Sequence, residues 1–332
     1  MHRTTYTAPM TAEEKARFVP FMHTLIDTAF DVIVPRFLTG LVPKDKADGS
    51  PVTEADKLAE EKMRRVIERE FSDHGIFGEE WGETEGRDVD GVCYRWILDP
   101  IDGTRSFITN SFLFGTLIAL ERDDGAGFRP ILSSVSHAAA NVRTVGSLDG
   151  TVMHLENRGT VTDRPLQVRD CRNLEEATLL ATSHWTTGEQ RGSPRIQTLI
   201  DRVKLYRTMG DCFGYFAVAS GGADIMVDPE LCYWDIAAVR SRRRRAAIRS
   251  RISAPCVRRG PCTAKWWQFS MLKALRIKRR ILTAAGLLMG VSVGVGTVAA
   301  ETLPEITVGL VDTFSPAFYI GTYAATLDHL TE

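Results

Sequence analysis

Paired cysteines are missing from this 332-residue chain: its six, at 93, 171, 212, 232, 256 and 262, include no CxxC and no zinc spacing with histidine. A zinc finger is thereby excluded, and reduced thiols in a cytoplasmic protein are expected for residues 1–239. The opening MHRTTYTAPMTAEEKARF has no apolar run, so no secretion signal is expected there. Internal repeats and low-complexity segments are lacking before residue 240. Net charge is nearly absent too, with 41 Lys+Arg against 42 Asp+Glu. The balance hides an asymmetry. Not one Asp or Glu occurs between Arg240 and Ala300, and residues 240–332 hold 15 basic side chains to 5 acidic. The first 239 residues therefore carry an acidic excess. Nucleic acid is not their expected partner; such clusters hold metal ions or face water.

The tail differs from the rest. RSRRRRAAIRSRISAPCVRRGPCTAKWW, from Arg240, shows no apolar period of 3.6 or 2. From Met271 a basic run (Lys273 to Arg280) precedes an apolar stretch with small residues at Val298 and Ala300, the layout of a secretory signal peptide. The expectation is two unrelated coding pieces joined after Val239, for instance by a frameshift: a non-native-looking segment 240–270, then a signal-peptide-like helix and short remnant 271–332. Two readings compete. Residues 281–300 are long enough to span a bilayer, at about 20 apolar residues, which would make the protein membrane-associated. The arginine run could also be a nucleic-acid patch or a solvated tail. The closing ITVGLVDTFSPAFYIG resembles the start of a periplasmic solute-binding protein.

Residues 1–239 have ample apolar material for a core, in one large domain or two. Amphipathic spacing predicts a helix over 12–34, with Pro20 tolerated only near an end or a kink. VTEADKLAEEKMRRVIEREF reads as a second helix, N-capped by Thr53 with Asp56 at its third position. GIFGEE is a short strand ending in two glutamates; 92–98 and 113–120 are apolar strands. Asp149-Gly150 marks a hairpin turn. Strands over 177–183 and 224–228, and helices over 195–203, 212–222 and from Trp234, complete the pattern. Strands and helices come in runs, which predicts a layered α+β architecture.

WILDPIDGTRSF (96–107) is the informative stretch. An apolar strand delivers Asp99 to its exposed end. Pro100 has no N–H, so pairing is expected to stop there and free the Ile101 carbonyl. Asp102 then lies close to Asp99. Two carboxylates and a carbonyl form a hard-oxygen cluster suited to Mg2+, and a divalent cation removes their repulsion. Gly103 and Thr104 open the next helical turn, where N–H groups receive phosphate. The bland alternatives are an Asp-Gly turn here, a solvated acidic loop at Glu79 and Glu80, a capping-box acid at Asp56, and an N-terminal helix acid at Asp235.

GEE, DPIDGT and WDIAA, in that order and at these spacings, resemble the inositol monophosphatase family from about residue 12 to Val239. The resemblance implies a layered α/β sandwich with an N-terminal metal-binding lobe (1–145) and an incomplete second lobe (146–239). It implies a Mg2+-dependent phosphomonoesterase acting on a small phosphate ester by metal-activated water, as a homodimer. Glu79, Asp99, the Ile101 carbonyl, Asp102 and Asp235 would be the metal ligands, with Glu80 behind them. Thr104 would position the water, with Asp56 as its partner and Glu79 in the catalytic set. Gly103 and Thr104 would bind phosphate through backbone N–H groups. KADGSPVTEAD and GDCFGYFAVASGGADIMVD are most similar to the histidinol-phosphate phosphatase branch, in which Asp211 and Asp228 would meet the substrate amine. Inositol 1-phosphate or another sugar phosphate, or an inactive family member, are the alternatives. Arg207 would buttress the phosphate or a dimer contact. ILSSVSHAAA (131–140) lacks the Gly and Pro usual in that strand. The strand and helix expected after WDIAA are not supplied, so the helix of Asp235 is expected to lose packing partners.

Overall fold

The computed structural model describes residues 9–47, 49–148, 150–157, 160–182, 194–228, 231–239 and 309–310. The expected segments 240–270 and 271–332, with the span 281–300, lie outside them apart from 309–310.

Helix α1 (Ala12–Ile33) starts at a capping box: Thr11 Oγ1 accepts from the Glu14 N–H, and the Glu14 carboxylate accepts from the Thr11 N–H. Phe18, Met22, Leu25, Ile26 and Ala29 bury one stripe of it. Pro20 lies well inside the helix rather than near an end; burial of the stripe outweighs the one lost backbone bond. Helix α2 (Glu54–Glu70) is capped in the same way by Thr53 and Asp56. Between them β1 (Lys44–Asp45) and β2 (Pro51–Val52) form a small hairpin.

The main sheet holds β3 (Gly75–Gly78), β4 (Gly82–Thr84), β5 (Cys93–Asp102), β6 (Gly115–Asp123), β7 (Arg129–Ser136), β8 (Val142–Ser147), β9 (Gly150–Asn157) and β10 (Thr160–Pro165). Its order is β10-β9-β8-β7-β6-β5-β3-β4; every neighbour is antiparallel except the parallel pair β3 and β5. The lobe boundary expected at 145/146 falls inside β8, because this sheet runs on to Pro165. A short helix α3 (Thr104–Ile108) comes directly after β5. The second sheet has β11 (Thr178–Ala181), β12 (Leu205–Arg207), β13 (Ile225–Val227) and β14 (Gly309–Leu310), in the order β12-β11-β13-β14. Helices α4 (Pro194–Arg202), α5 (Asp211–Ala219) and α6 (Tyr233–Val239) complete the described elements.

Alternation along β5 builds the layers. Trp96 and Leu98 point to the α1/α2 side, into a core with Phe18, Phe21, Met63 and Phe71. The Trp96 indole N–H donates to His74 Nδ1 at 3.0 Å, and Phe71 stacks on that imidazole at 4.6 Å. Ile97 faces the other side and packs with Phe77, Ala119 and Ala237, so α6 lies directly on the sheet. Among the described residues, α6 packs on residues that precede it, Phe77, Ile97 and Ala119. Cys212 and Tyr215 of α5 cover Leu117 and Val135 on a neighbouring patch. Among the described residues only Ala12–Arg36 is long and apolar enough to cross a membrane, and half of that window is buried in this core.

Because Leu25 is fully buried, Leu25→Ala is expected to lower the unfolding free energy by about 2–5 kcal/mol. Val42→Ala, at an exposed position, should change it by less than about 0.5 kcal/mol. Denaturant melts of the two variants check the pair.

Candidate active site

Strand β5 does not end at Pro100. Its pairing with β6 skips: Asp99 opposes Leu117 and Asp102 opposes Gly115, with the irregularity between them. A bulge tolerates a residue with no N–H, and this replaces the expected stop. The Pro100 carbonyl is taken by Thr116 Oγ1 at 2.8 Å and the Ile101 carbonyl by Thr104 Oγ1 at 3.2 Å. Gly103 has φ +80°, and a Cβ there would stand 2.7 Å from Asp211 Oδ2. Both facts demand glycine.

Three carboxylates from two elements converge. One oxygen each of Asp99, Asp102 and Asp235 lies within 4.8 Å of the others. Asp99 is 2% exposed, and its Oδ1 has no hydrogen-bond partner. Asp102 Oδ2 receives the Cys212 N–H, and Asp235 Oδ2 receives the Cys232 N–H at 2.6 Å. Burial first, and then the charges of neighbouring carboxylates, push all three far above the usual carboxylate range. An all-oxygen set of acids, Asp99 buried and Asp102 and Asp235 half-buried, with an unpaired oxygen fits a hard divalent cation.

Glu79 stands beside this trio rather than within it. Its N–H extends the β3–β5 pairing to the Leu98 carbonyl at 3.1 Å. Its carboxylate takes Lys46 Nζ at 2.8 Å, and Glu80 takes the same ammonium at 2.6 Å. Burial and the Glu79 charge push Glu80 up to about 7, with Lys46 opposing them. Asp56, 1% exposed, contacts both Thr53 and Thr104. Its Oδ2 caps Thr53, while its Oδ1 accepts from Thr104 Oγ1 at 3.3 Å.

Asp211, at the start of α5, and Asp228, directly after β13, lie close enough to Asp102 for their charges to act on it. Asp211, at φ +51°, accepts from Ser106 Oγ at 2.8 Å. Thr182 Oγ1 accepts from the Asp211 N–H at 3.1 Å and donates to Asp228 Oδ2 at 2.7 Å. Arg207, at the end of β12, is exposed, with Nη1 donating to the Tyr206 carbonyl at 3.4 Å.

Sequence reasoning missed Glu60, Lys46, Ser106 and Thr182. Glu60 is fully buried and collects the N–H groups of Glu80 at 2.7 Å and Trp81 at 3.2 Å, with Arg64 Nε at 2.8 Å. A Cβ on Gly78 would sit 2.0 Å from its Oε1. Its signal was an acid on the apolar stripe of α2, one turn after Asp56.

Comparison with known proteins places this architecture among hydrolases of phosphate monoesters. The chain belongs to the inositol monophosphatase family, whose pattern matches residues 15–240 and so stops where the chain changes character. It is 37% identical over 198 residues to the histidinol-phosphatase of Chlorobaculum parvum, covering 58% of this chain and 69% of that protein. The histidinol-phosphatase of Streptomyces coelicolor is 33% identical over 224 residues (65% and 79%). The chloroplastic bifunctional phosphatase IMPL2 of Arabidopsis thaliana is 34% identical over 229 residues, 68% of this chain but only 61% of that protein. Among solved structures, an inositol monophosphatase from Zymomonas mobilis has a TM-score of 0.54 at 36% identity, covering 69% of this chain and 82% of that one.

The raised acids set a pH dependence. Below the ordinary carboxylate range both folded and unfolded chains are protonated. As pH rises, the unfolded chain ionises first, so the cation-free folded state loses stability through the folded titration range. Asp99→Asn removes part of that loss. In chelator, the melting temperature of Asp99→Asn minus that of the wild type is expected to grow from pH 5 to pH 8. A difference that stays flat would contradict the electrostatic account.

Proposed function

We propose that the chain is a Mg2+-dependent phosphomonoesterase whose substrate is histidinol phosphate. The observation that carries this reading is the convergence of Asp99, Asp102 and Asp235 within 4.8 Å, around an Asp99 oxygen that no protein group satisfies. These three would hold the cation, with the Ile101 carbonyl and Glu79 at its rim and Glu80 behind. When bound, the cation supplies an acidified water and screens the charge on the ester oxygens.

The chain's own groups do the rest. Thr104 Oγ1 is set to orient a water, and Asp56 Oδ1 beside it is the acceptor to which a proton leaving that hydroxyl passes. The backbone N–H groups of Gly103 and Thr104 receive the phosphate. Asp211 and Asp228 add two acids near this site, complementary to an amine on the leaving alcohol. Relatives 33–37% identical that are histidinol-phosphatases support this choice. A second reading, inositol 1-phosphate or another sugar phosphate, is favoured by the likeness to the Zymomonas enzyme. A cytoplasmic homodimer belongs to the same proposal and rests on the family resemblance.

The test is phosphate release from histidinol phosphate and inositol 1-phosphate by the full chain. Turnover should be faster on histidinol phosphate, vanish in EDTA, and fall by roughly two to three orders of magnitude in Asp102→Asn, the scale of losing one preorganised charged contact. Undiminished turnover in EDTA rules out the metal reading. A folded, Mg2+-binding chain that turns over neither ester is a non-catalytic member of the family.

A further inference from the structure

Helix α6 brings Asp235 to Asp99 and Asp102, yet its apolar contacts alone do not fix where it sits. Ala237, Ala238 and Val239 are buried, but apolar burial is non-directional. A slip of one helical turn moves a residue by about 5.4 Å, more than the 4.8 Å spread of the carboxylate trio. Something directional must hold the helix.

That element is two residues from Asp235. The Tyr233 hydroxyl donates to Glu121 Oε1 at 2.5 Å. Glu121 is 1% exposed, and its Oε2 receives Arg95 Nη2 at 2.8 Å and Nε at 3.2 Å. Arg95 Nη1 pairs with Glu83 at 2.8 Å, and its guanidinium lies 4.2 Å from the Phe128 ring centroid. Arg95 and Glu121 oppose each other in the β5–β6 ladder, as do Ile97 and Ala119, then Asp99 and Leu117. The network and the ligand Asp99 thus share one strand and one face, with α6 lying over both.

We propose that Arg95, Glu121 and Tyr233 are positioning residues: their buried network sets α6 on the sheet so that Asp235 closes the cation site. The inference rests on the metal reading above. It assigns to Tyr233 a role in metal affinity that a simple packing residue would lack.

The experiment is Mg2+ titration of the full chain by calorimetry, with Tyr233→Phe compared with Tyr94→Phe. Tyr94 is the control because its hydroxyl makes an equivalent bond, 2.6 Å to Glu14, on the opposite face of the sheet. Tyr233→Phe should weaken Mg2+ binding about tenfold or more, the range for groups that orient ligands. Tyr94→Phe should leave it within about twofold. In an Asp235→Asn background, Tyr233→Phe should have no further effect, because coupled residues are not additive. Glu121→Gln, which keeps an acceptor for Tyr233 but weakens the Arg95 pair, serves if Tyr233→Phe does not fold; it too should weaken Mg2+ binding. A wild type that binds Mg2+ while these variants match it, or match Tyr94→Phe, overturns the positioning role alone. A wild type that takes up no Mg2+ overturns the metal reading and this role with it.

Discussion

Burying like charges together is the constraint on which the structure turns. Asp99, Asp102 and Asp235 lie within 4.8 Å of one another, and ionised carboxylates out of water repel strongly unless a counter-charge is present. The fold accepts this by holding each acid from behind. A bulge aims Asp99 and Asp102 from one strand, the Cys212 amide grips Asp102, and the Cys232 amide grips Asp235. Asp99 Oδ1, out of contact with water, has no hydrogen-bond partner. Around the rim the chain supplies its own cation: Lys46, on the hairpin between α1 and α2, bridges Glu79 and Glu80.

The main sheet makes this arrangement possible because both of its faces are covered. The even-numbered residues of β5 anchor it to α1 and α2 through Trp96 and Leu98, while Ile97 and Asp99 face α6. A strand packed on both sides has little freedom to shift along its axis, since slipping by one residue would exchange the two faces. The aromatic cluster of Phe18, Phe21, Phe71 and Trp96 therefore acts on the site at a distance, by fixing the strand that presents Asp99.

The acids legible in the sequence stand where an element ends. Glycine after Asp102 and the strand before Glu79 announced such ends, and the proline after Asp99 announced an interruption that is a bulge inside β5. The two helix starts were legible for the same reason: Thr11 and Thr53 are capping residues with an acid three positions on. What could not be read depends on register or on tertiary approach. That Pro100 sits within a bulge needed the pairing with Leu117 and Gly115. Thr182 and Ser106 carry no local signature and gain their roles only when distant segments meet. Arg95 and Glu121 become partners only once β5 and β6 are aligned.

The same distinction explains why an unusual tail leaves the site assembled. Asp235 lies only five residues before the point where the chain turns arginine-rich, and a helix so placed would be expected to depend on the residues C-terminal to it. Among the described residues its partners are upstream: Phe77, Ile97 and Ala119 beneath it, Glu121 at its first turn. The second sheet is different. Among the described residues, its edge beyond β13 is Gly309 and Leu310, paired with Met226 and Ile225. The carboxylate trio draws on β5 and α6, and the described packing of α6 is on the main sheet.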